Sequence, residues 1–172
     1  MNHIKPYRSF VLENAKPTKF GYVKLQLDPM TMQEIHKMIS AEDLDAKGLE
    51  EDTHLTLLYG LHPGVTPEQV SEKLKDINFS QVRLENISIF DQGSREVLKF
   101  DVAGKNLIEA NSALKELPNT SDFPDFHPHT TIAYLKPGTS NKYLQLLKGK
   151  SFDLKATEVF YKDADKNIAK IK

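Results

Sequence analysis

The sequence contains two copies of one strand-like motif, and they constrain the fold more than any other feature. Residues 54–64 and 129–138 both follow the pattern His-x-Thr-x-x-Tyr, with Leu, Pro and Gly after it. The second copy begins 75 residues after the first, which is longer than the periods of roughly 20–50 residues typical of repeat arrays. The spacing therefore predicts two related halves rather than a run of short repeats.

Each copy is predicted to be a short buried strand, because it is apolar and ends at a Pro-Gly turn. Side chains alternate between the two faces of a strand. His54 therefore shares a face with Thr56, and His129 shares one with Thr131, while the tyrosine of each motif is expected on the opposite face. A lone histidine is more often a hydrogen-bonded core residue, but a repeated His-x-Thr in matching surroundings favours a functional site.

Length and charge limit the possible functions. The chain of 172 residues suits one domain or two lobes that share a core. Its net charge of −1 argues against binding long nucleic acids, which usually requires a basic excess. There is no cysteine, so disulfides and thiolate zinc sites are excluded. No apolar run is long enough to cross a membrane and the first residues lack the apolar segment of a secretory signal, so the expected location is the cytoplasm.

The order of predicted elements indicates an α+β fold, because helices interleave with strands and hairpins. Residues 1–19 are polar and are predicted to form an N-terminal arm. Residues 20–172 are predicted to form a single domain of two pseudo-symmetric lobes, with mixed or antiparallel sheets around a central groove. The last long strand is predicted to carry Glu158 within an otherwise apolar row, and His36 is expected on a helix surface.

Two histidines that face one another could divide the work of cleaving a phosphodiester. The unperturbed histidine pKa of about 6.5 lies close to physiological pH. One ring could accept the proton of the attacking hydroxyl while the other protonates the leaving oxygen. Each threonine hydroxyl could donate a hydrogen bond to a phosphate oxygen. The candidate catalytic residues are therefore His54, Thr56, His129 and Thr131, and the scheme requires no metal or other cofactor.

A metal site is the alternative interpretation of His127 and His129, with Asp122 and Asp125 nearby. Zinc sites normally need three or four converging ligands. Pro128 imposes an extended link between the two histidines, and the carboxylates belong to a loop. We therefore predict no metal site.

The pair of His-x-Thr motifs resembles the 2H phosphoesterase superfamily, whose members are metal-independent enzymes that act on RNA ends and small nucleotides. The resemblance covers most of residues 20–161. More narrowly, the chain resembles the T4-type phage proteins that degrade cyclic oligonucleotides of the CBASS immune system. This resemblance implies that both His–Thr pairs are catalytic, and that Tyr22, Lys24 and Glu158 help to hold the ligand.

The residues around Tyr22 and Lys24 are consistent with such a role. Val23 and Leu25 alternate with them along a half-buried strand, so Tyr22 and Lys24 lie on its polar face. Tyrosine can stack on a base and lysine can pair with a phosphate. Plain solvent exposure is the alternative.

The resemblance, together with the two-histidine chemistry, implies a metal-independent phosphodiesterase that cleaves 3′–5′ bonds of cyclic di- or oligonucleotides. Within the same chemistry, alternative substrates are RNA with a 2′,3′-cyclic phosphate end and 2′,5′-linked oligoadenylate. A different class is a module that sequesters a nucleotide without cleaving it. Base preference, ring size, oligomeric state and the assignment of acid and base are left open.

Overall fold

The computed structural model of the chain describes residues 19–121 and 125–172. All but the last residue of the predicted N-terminal arm lie outside these ranges. The described residues form an α+β structure, as predicted. Its strands are β1 (Gly21–Leu27), β2 (Leu44–Leu49), β3 (His54–Leu61), β4 (Gln81–Asp91), β5 (Glu96–Ala103), β6 (His129–Leu135), β7 (Phe152–Lys162) and β8 (Ile168–Lys170). Its helices are α1 (Pro29–His36), α2 (Pro67–Leu74), α3 (Lys105–Leu114) and α4 (Asn141–Leu147), with a 3₁₀ turn at Ala41–Asp43.

The first two helices begin at strong capping residues. The Asp28 side chain accepts a hydrogen bond from the N–H of Met30, and Thr66 and Gln69 form a reciprocal capping box. The helices contribute these buried residues to a core shared with the strands: Met32, Ile35, Val70, Leu74, Leu107, Ala110, Leu114, Tyr143 and Leu147. None of the described helices is long and apolar enough to span a membrane.

The eight strands form one curled antiparallel sheet in the order β2–β6–β5–β4–β7–β1–β3, with β8 paired to β7. The first half of β7 pairs with β4 and its second half pairs with β1, so this strand joins two lobes. The first lobe contains β1, β3 and β8, and the second contains β2, β4, β5 and β6. The curl brings β3, at one end of this order, against β6 near the other end. The sheet itself therefore brings the two His-x-Thr strands together.

Each His-x-Thr strand is interrupted by a β-bulge at the residue after its threonine. The extra residue is Leu57 in β3, against β1, and Ile132 in β6, against β5. An extra residue reverses the alternation of side chains beyond it. Tyr59 and Tyr134 therefore lie on the same face as the histidines. The prediction that they lie on the opposite face is wrong, because strict alternation does not account for a bulge.

A third bulge decides the position of Glu158. The register of β7 against β1 skips Thr157. Leu154 before the skip and Val159 after it are both buried in the core. Glu158 therefore lies on the face opposite to the core, in one row with Gln26 and the first histidine. The predicted apolar row through Glu158 is thus broken into two.

Candidate active site

The two His-x-Thr motifs meet where β3 packs against β6. His54 and Thr56 lie on β3, His129 and Thr131 lie on β6, and all four are half-buried on the face away from the core. The hydroxyl of Thr130, between His129 and Thr131, donates a 2.8 Å hydrogen bond to the backbone carbonyl of His54. The structure therefore brings the four predicted residues to one place, which we call the site face.

Both imidazole rings are held in the same way, through Nδ1. Nδ1 of His54 lies 2.7 Å from the carbonyl oxygen of Asp52, and Nδ1 of His129 lies 3.0 Å from that of His127. A carbonyl oxygen only accepts hydrogen bonds, so Nδ1 carries the proton in each ring. Nε2 of each ring is left to accept or donate a proton. The acceptor lies two residues before the histidine in both copies, so the anchor repeats with the motif.

The carbonyl group of each bulged residue is bonded by a side chain from a helix. The buried Asn111 amide on α3 donates a 2.7 Å hydrogen bond to the carbonyl of Leu57. His36 on α1 donates through Nε2 to the carbonyl of Ile132 at 3.0 Å. The expectation that His36 lies on a helix surface is wrong, because its half-buried ring reaches the second His-x-Thr strand. Burial lowers the pKa of His36, although the hydrogen bond to Ile132 acts in the other direction.

Lys24 is tied to the first histidine through Asp52. Its Nζ lies 2.7 Å from Oδ2 of Asp52, and Gln26 donates to Oδ1 of the same carboxylate at 3.0 Å. Burial acts to raise the pKa of Asp52, but the hydrogen bonds from Lys24 and Gln26 lower it below its ordinary value. Oδ2 also lies 3.2 Å from Nδ1 of His54. An ionised carboxylate therefore lies beside the ring of His54.

The other two predicted binding residues also lie on the site face. The Tyr22 ring stacks on Tyr59, with ring centroids 6.2 Å apart and planes at 23°. Glu158 pairs with Gln26, the strand neighbour of the first histidine, and its carboxylate lies 3.6 Å from Lys170. These positions suit contact with a ligand. The binding roles of Tyr22 and Glu158 stay predictions.

The second lobe places a lysine beside the other threonine. Lys99 on β5 is the direct cross-strand partner of Thr131, and its Nζ donates a 2.9 Å hydrogen bond to Oγ of Ser88. The Phe90 ring lies 4.6 Å from the same Nζ and meets the His129 ring edge-on, with centroids 5.5 Å apart. Burial is the main cause that lowers the pKa of His129, and the charge of Lys99 adds to it.

Sequence reasoning missed several of these residues, among them Asp52 and Lys99. Lys99 carried a usable signal, because it lies in an alternating strand just as Lys24 does. Asp52 carried a weaker one. It lies in an acidic segment before β3, and only the fold turns its carboxylate towards the histidine.

The interpretation of His127 as a metal ligand finds no support in the described residues. Across 19–121 and 125–172, no three histidine, aspartate or glutamate side chains converge closely enough to hold a metal ion. The carbonyl of His127 instead accepts the hydrogen bond that anchors His129. Asp122 lies outside the described residues.

Comparisons with known proteins agree with this architecture. A family model described as anti-CBASS protein Acb1 matches residues 19–168. No match was found among curated proteins. Usb1 of Kluyveromyces marxianus with uridine monophosphate is similar in structure, with a TM-score of 0.55 and 13% identity over 90% of this chain and 98% of that chain.

Two further solved structures show the same likeness. The MHV ns2 PDE domain has a TM-score of 0.53 and 13% identity over 90% of this chain and 99% of its own. A structure described as a phosphoesterase has a TM-score of 0.52 and 16% identity over 89% and 94% of the two chains. At these identities the likeness concerns the fold, and it confirms the predicted 2H phosphoesterase-like architecture.

Proposed function

The chain belongs to the anti-CBASS protein Acb1 family, and we propose that it is a metal-independent phosphodiesterase that cleaves cyclic di- or oligonucleotides. The observation that carries the proposal is the repeated arrangement around the two histidines. Each ring is anchored through Nδ1 and lies beside a threonine on the site face. Similar folds in structures described as a phosphoesterase and a PDE domain support the same class of reaction.

The surroundings of the two rings differ, and the difference suggests which is the acid. His54 has the carboxylate of Asp52 3.2 Å from Nδ1. His129 is desolvated and lies near Lys99, and both effects favour the neutral ring that a general base requires, although the hydrogen bond to His127 and the charge of Asp101 act in the opposite direction. We therefore assign His129 as the base and His54 as the acid.

In the proposed reaction the substrate supplies its own nucleophile. Nε2 of His129 takes the proton of a ribose 2′-hydroxyl, whose oxygen attacks the adjacent phosphorus. The bond from phosphorus to the 5′-oxygen breaks, and Nε2 of His54 protonates that oxygen. The products are a 5′-hydroxyl and a 2′,3′-cyclic phosphate, which water can open with the two roles reversed. The hydroxyls of Thr56 and Thr131 donate to non-bridging phosphate oxygens while charge develops there.

Tyr22 and Lys24 support substrate binding in this proposal. A tyrosine ring gives a base a surface on which to stack. Lys24 is held in place by Asp52, so its ammonium group is already oriented before a phosphate arrives. Glu158, in the same row as the first histidine, would accept hydrogen bonds from a base or a ribose hydroxyl.

The test is product analysis with three classes of substrate: cyclic dinucleotides, linear 2′,5′-oligoadenylates and RNA with a 2′,3′-cyclic phosphate end. The proposal expects cleavage of the cyclic dinucleotides, and that cleavage should survive EDTA. A cyclic dinucleotide without the 2′-hydroxyl beside the scissile phosphate should bind and resist cleavage.

Each other outcome selects a different function. Preferential cleavage of one of the linear substrates would move the assignment to that substrate. Tight binding of all cyclic dinucleotides without any product would indicate a sequestering module. Rapid cleavage of the 2′-deoxy analogue would show that water, not the 2′-hydroxyl, is the nucleophile.

A further inference from the structure

In both lobes, a lysine on the neighbouring strand is paired with the threonine of the His-x-Thr motif. In the first lobe Lys24 on β1 is the cross-strand partner of Thr56. In the second lobe Lys99 on β5 is the cross-strand partner of Thr131. In each strand the bulged residue comes directly after the threonine. Both lysines therefore pair with the part of the strand that precedes the bulge, where the histidine also lies. The lysine is therefore repeated together with the His-x-Thr motif.

Lys99 is a largely buried cation whose carboxylate partner lies farther away than the one that pairs with Lys24. Its side chain is only 11% exposed. Nζ donates to Oγ of Ser88 at 2.9 Å, and the Phe90 ring covers it at 4.6 Å. The carboxylate of Asp101 forms an ion pair with Nζ at 3.6 Å, which is longer than a hydrogen bond.

An ammonium group has three donors and strong hydration, so holding it in a partly desolvated place is unfavourable unless an anion meets it. Lys24 already has such an anion, because Asp52 lies 2.7 Å from its Nζ. The closest polar neighbour of Lys99 is a neutral hydroxyl at 2.9 Å, and its carboxylate partner Asp101 is more distant, at 3.6 Å. The second lobe is therefore the better prepared of the two to accept an anion from outside the chain.

We infer that Lys99 binds a phosphate group of the substrate from the second lobe, opposite Lys24 in the first. The inference rests on the proposed function, because it names a binding residue for the same ligand. Thr131 stands beside Lys99, so the ammonium and the hydroxyl would approach neighbouring oxygens of the phosphodiester chain. Ser88 is the partner of Lys99 on β4, on the other side of β5 from Thr131, and its hydroxyl accepts a hydrogen bond from Nζ.

The experiment measures the Kd of a cyclic dinucleotide that lacks the reactive 2′-hydroxyls, at several salt concentrations. Lys99→Met keeps the apolar stem and removes the charge, and Lys99→Arg keeps the charge. The matched control is Lys148→Met, at an exposed lysine just after α4. Thermal unfolding confirms that each variant is folded.

Lys99→Met should raise Kd about tenfold, and the slope of log Kd against log salt should fall by about one. Lys99→Arg should remain close to wild type, and Lys148→Met should be unchanged. A folded Lys99→Met variant with the wild-type Kd would overturn the inference. So would an equal loss in the Met and Arg variants with an unchanged salt slope, because that result indicates a purely structural lysine.

The two proposals fail in different ways. If the wild-type protein binds the cyclic dinucleotide but cleaves none of the substrates, the proposed catalysis is wrong and the Kd series still decides the role of Lys99. If it cleaves while Kd is insensitive to Lys99, only the present inference falls. If it binds no cyclic dinucleotide, both fall.

Discussion

The hydroxyl of Thr130 donates a 2.8 Å hydrogen bond to the backbone carbonyl of His54. Thr130 is fully buried and stands between His129 and Thr131 in the second motif. The two motifs are thus joined directly, near the start of both strands. The relative position of the two imidazole rings depends on this bond as well as on the sheet.

Replacing Thr130 by valine removes this bond and keeps the shape of the side chain. The carbonyl of His54 then loses a buried donor, so the free energy of unfolding should fall by about 1–3 kcal/mol. We expect kcat to fall in addition, because the His54 and His129 rings are no longer held in the same relative position. Urea unfolding and steady-state kinetics measure both effects. Thr130→Ser, which keeps the hydroxyl, should retain most of the activity, and an equal loss in both variants would contradict the interpretation.

His54→Ala and His129→Ala should each lower kcat by about 10²–10⁴ in a protein that still folds. The two rings act in one proton relay, so the double variant should be little worse than either single one. The measurement is single-turnover cleavage with circular dichroism as the folding control. Near-normal activity in either single variant would show that only one histidine takes part.

Tyr22→Ala should weaken substrate binding by about 1–3 kcal/mol, which is the value of stacking one base on an aromatic ring. The loss should appear as a higher KM with little change in kcat. Tyr22→Phe is the matched control, because it keeps the stacking surface against Tyr59. A lower kcat at unchanged KM would instead place Tyr22 in the chemical step.

The pH dependence should follow His129. Burial lowers its pKa below the ordinary 6.5, and Lys99 and His54 act in the same direction. At pH values between the pKa of His129 in the folded protein and its pKa in the unfolded chain, the folded protein therefore binds fewer protons than the unfolded chain. This contribution to stability is complete above pH 6.5 and is lost as the pH falls through the folded pKa. The lowered pKa of His36 acts with the same sign.

Two measurements check this expectation. A histidine NMR titration should place the pKa of His129 below 6.5, and the acidic limb of kcat/KM should lie there as well. In His129→Asn the stability should depend less on pH over the same range. An acidic limb above pH 6.5 would assign the role of base to another group.

Asn111→Leu tests the support of the first bulge. The substitution leaves the carbonyl of Leu57 without its buried donor, so the free energy of unfolding should fall by about 1–3 kcal/mol. Ser112→Ala, at an exposed position on the same helix, is the control and should change little. Equal stability of Asn111→Leu and wild type would mean that the bulge needs no support from α3.

Sequence reasoning worked where a property is local to a strand. The alternation that places His54 with Thr56 depends only on neighbouring residues, and the structure places both on the site face. The same reasoning misplaced Tyr59 and Tyr134, because a bulge lies between them and the threonines. A bulge depends on the partner strand and on donors such as Asn111, which come from distant parts of the chain.

The remaining site residues depend on tertiary contacts in the same way. Asp52 reaches His54 only because the segment before β3 lies against Lys24 and Gln26. His36 lies 96 residues from its partner Ile132, and nothing in the helical pattern around it indicates that contact. Pairing between such distant residues is set by the whole fold, which a single sequence does not reveal.

The shared strand β7 has a consequence for how the chain is made. β1 lies near the start of the described residues, but one of its two neighbours is the second half of β7, residues 156–162. A ribosome that has finished both His-x-Thr motifs has therefore not yet produced the strand that completes the first lobe. The two similar lobes cannot fold one after the other during synthesis, because the first lobe needs β7, which is made after both His-x-Thr strands. The site face therefore forms late in synthesis. It depends on contacts between residues far apart in the chain, and such contacts form slowly.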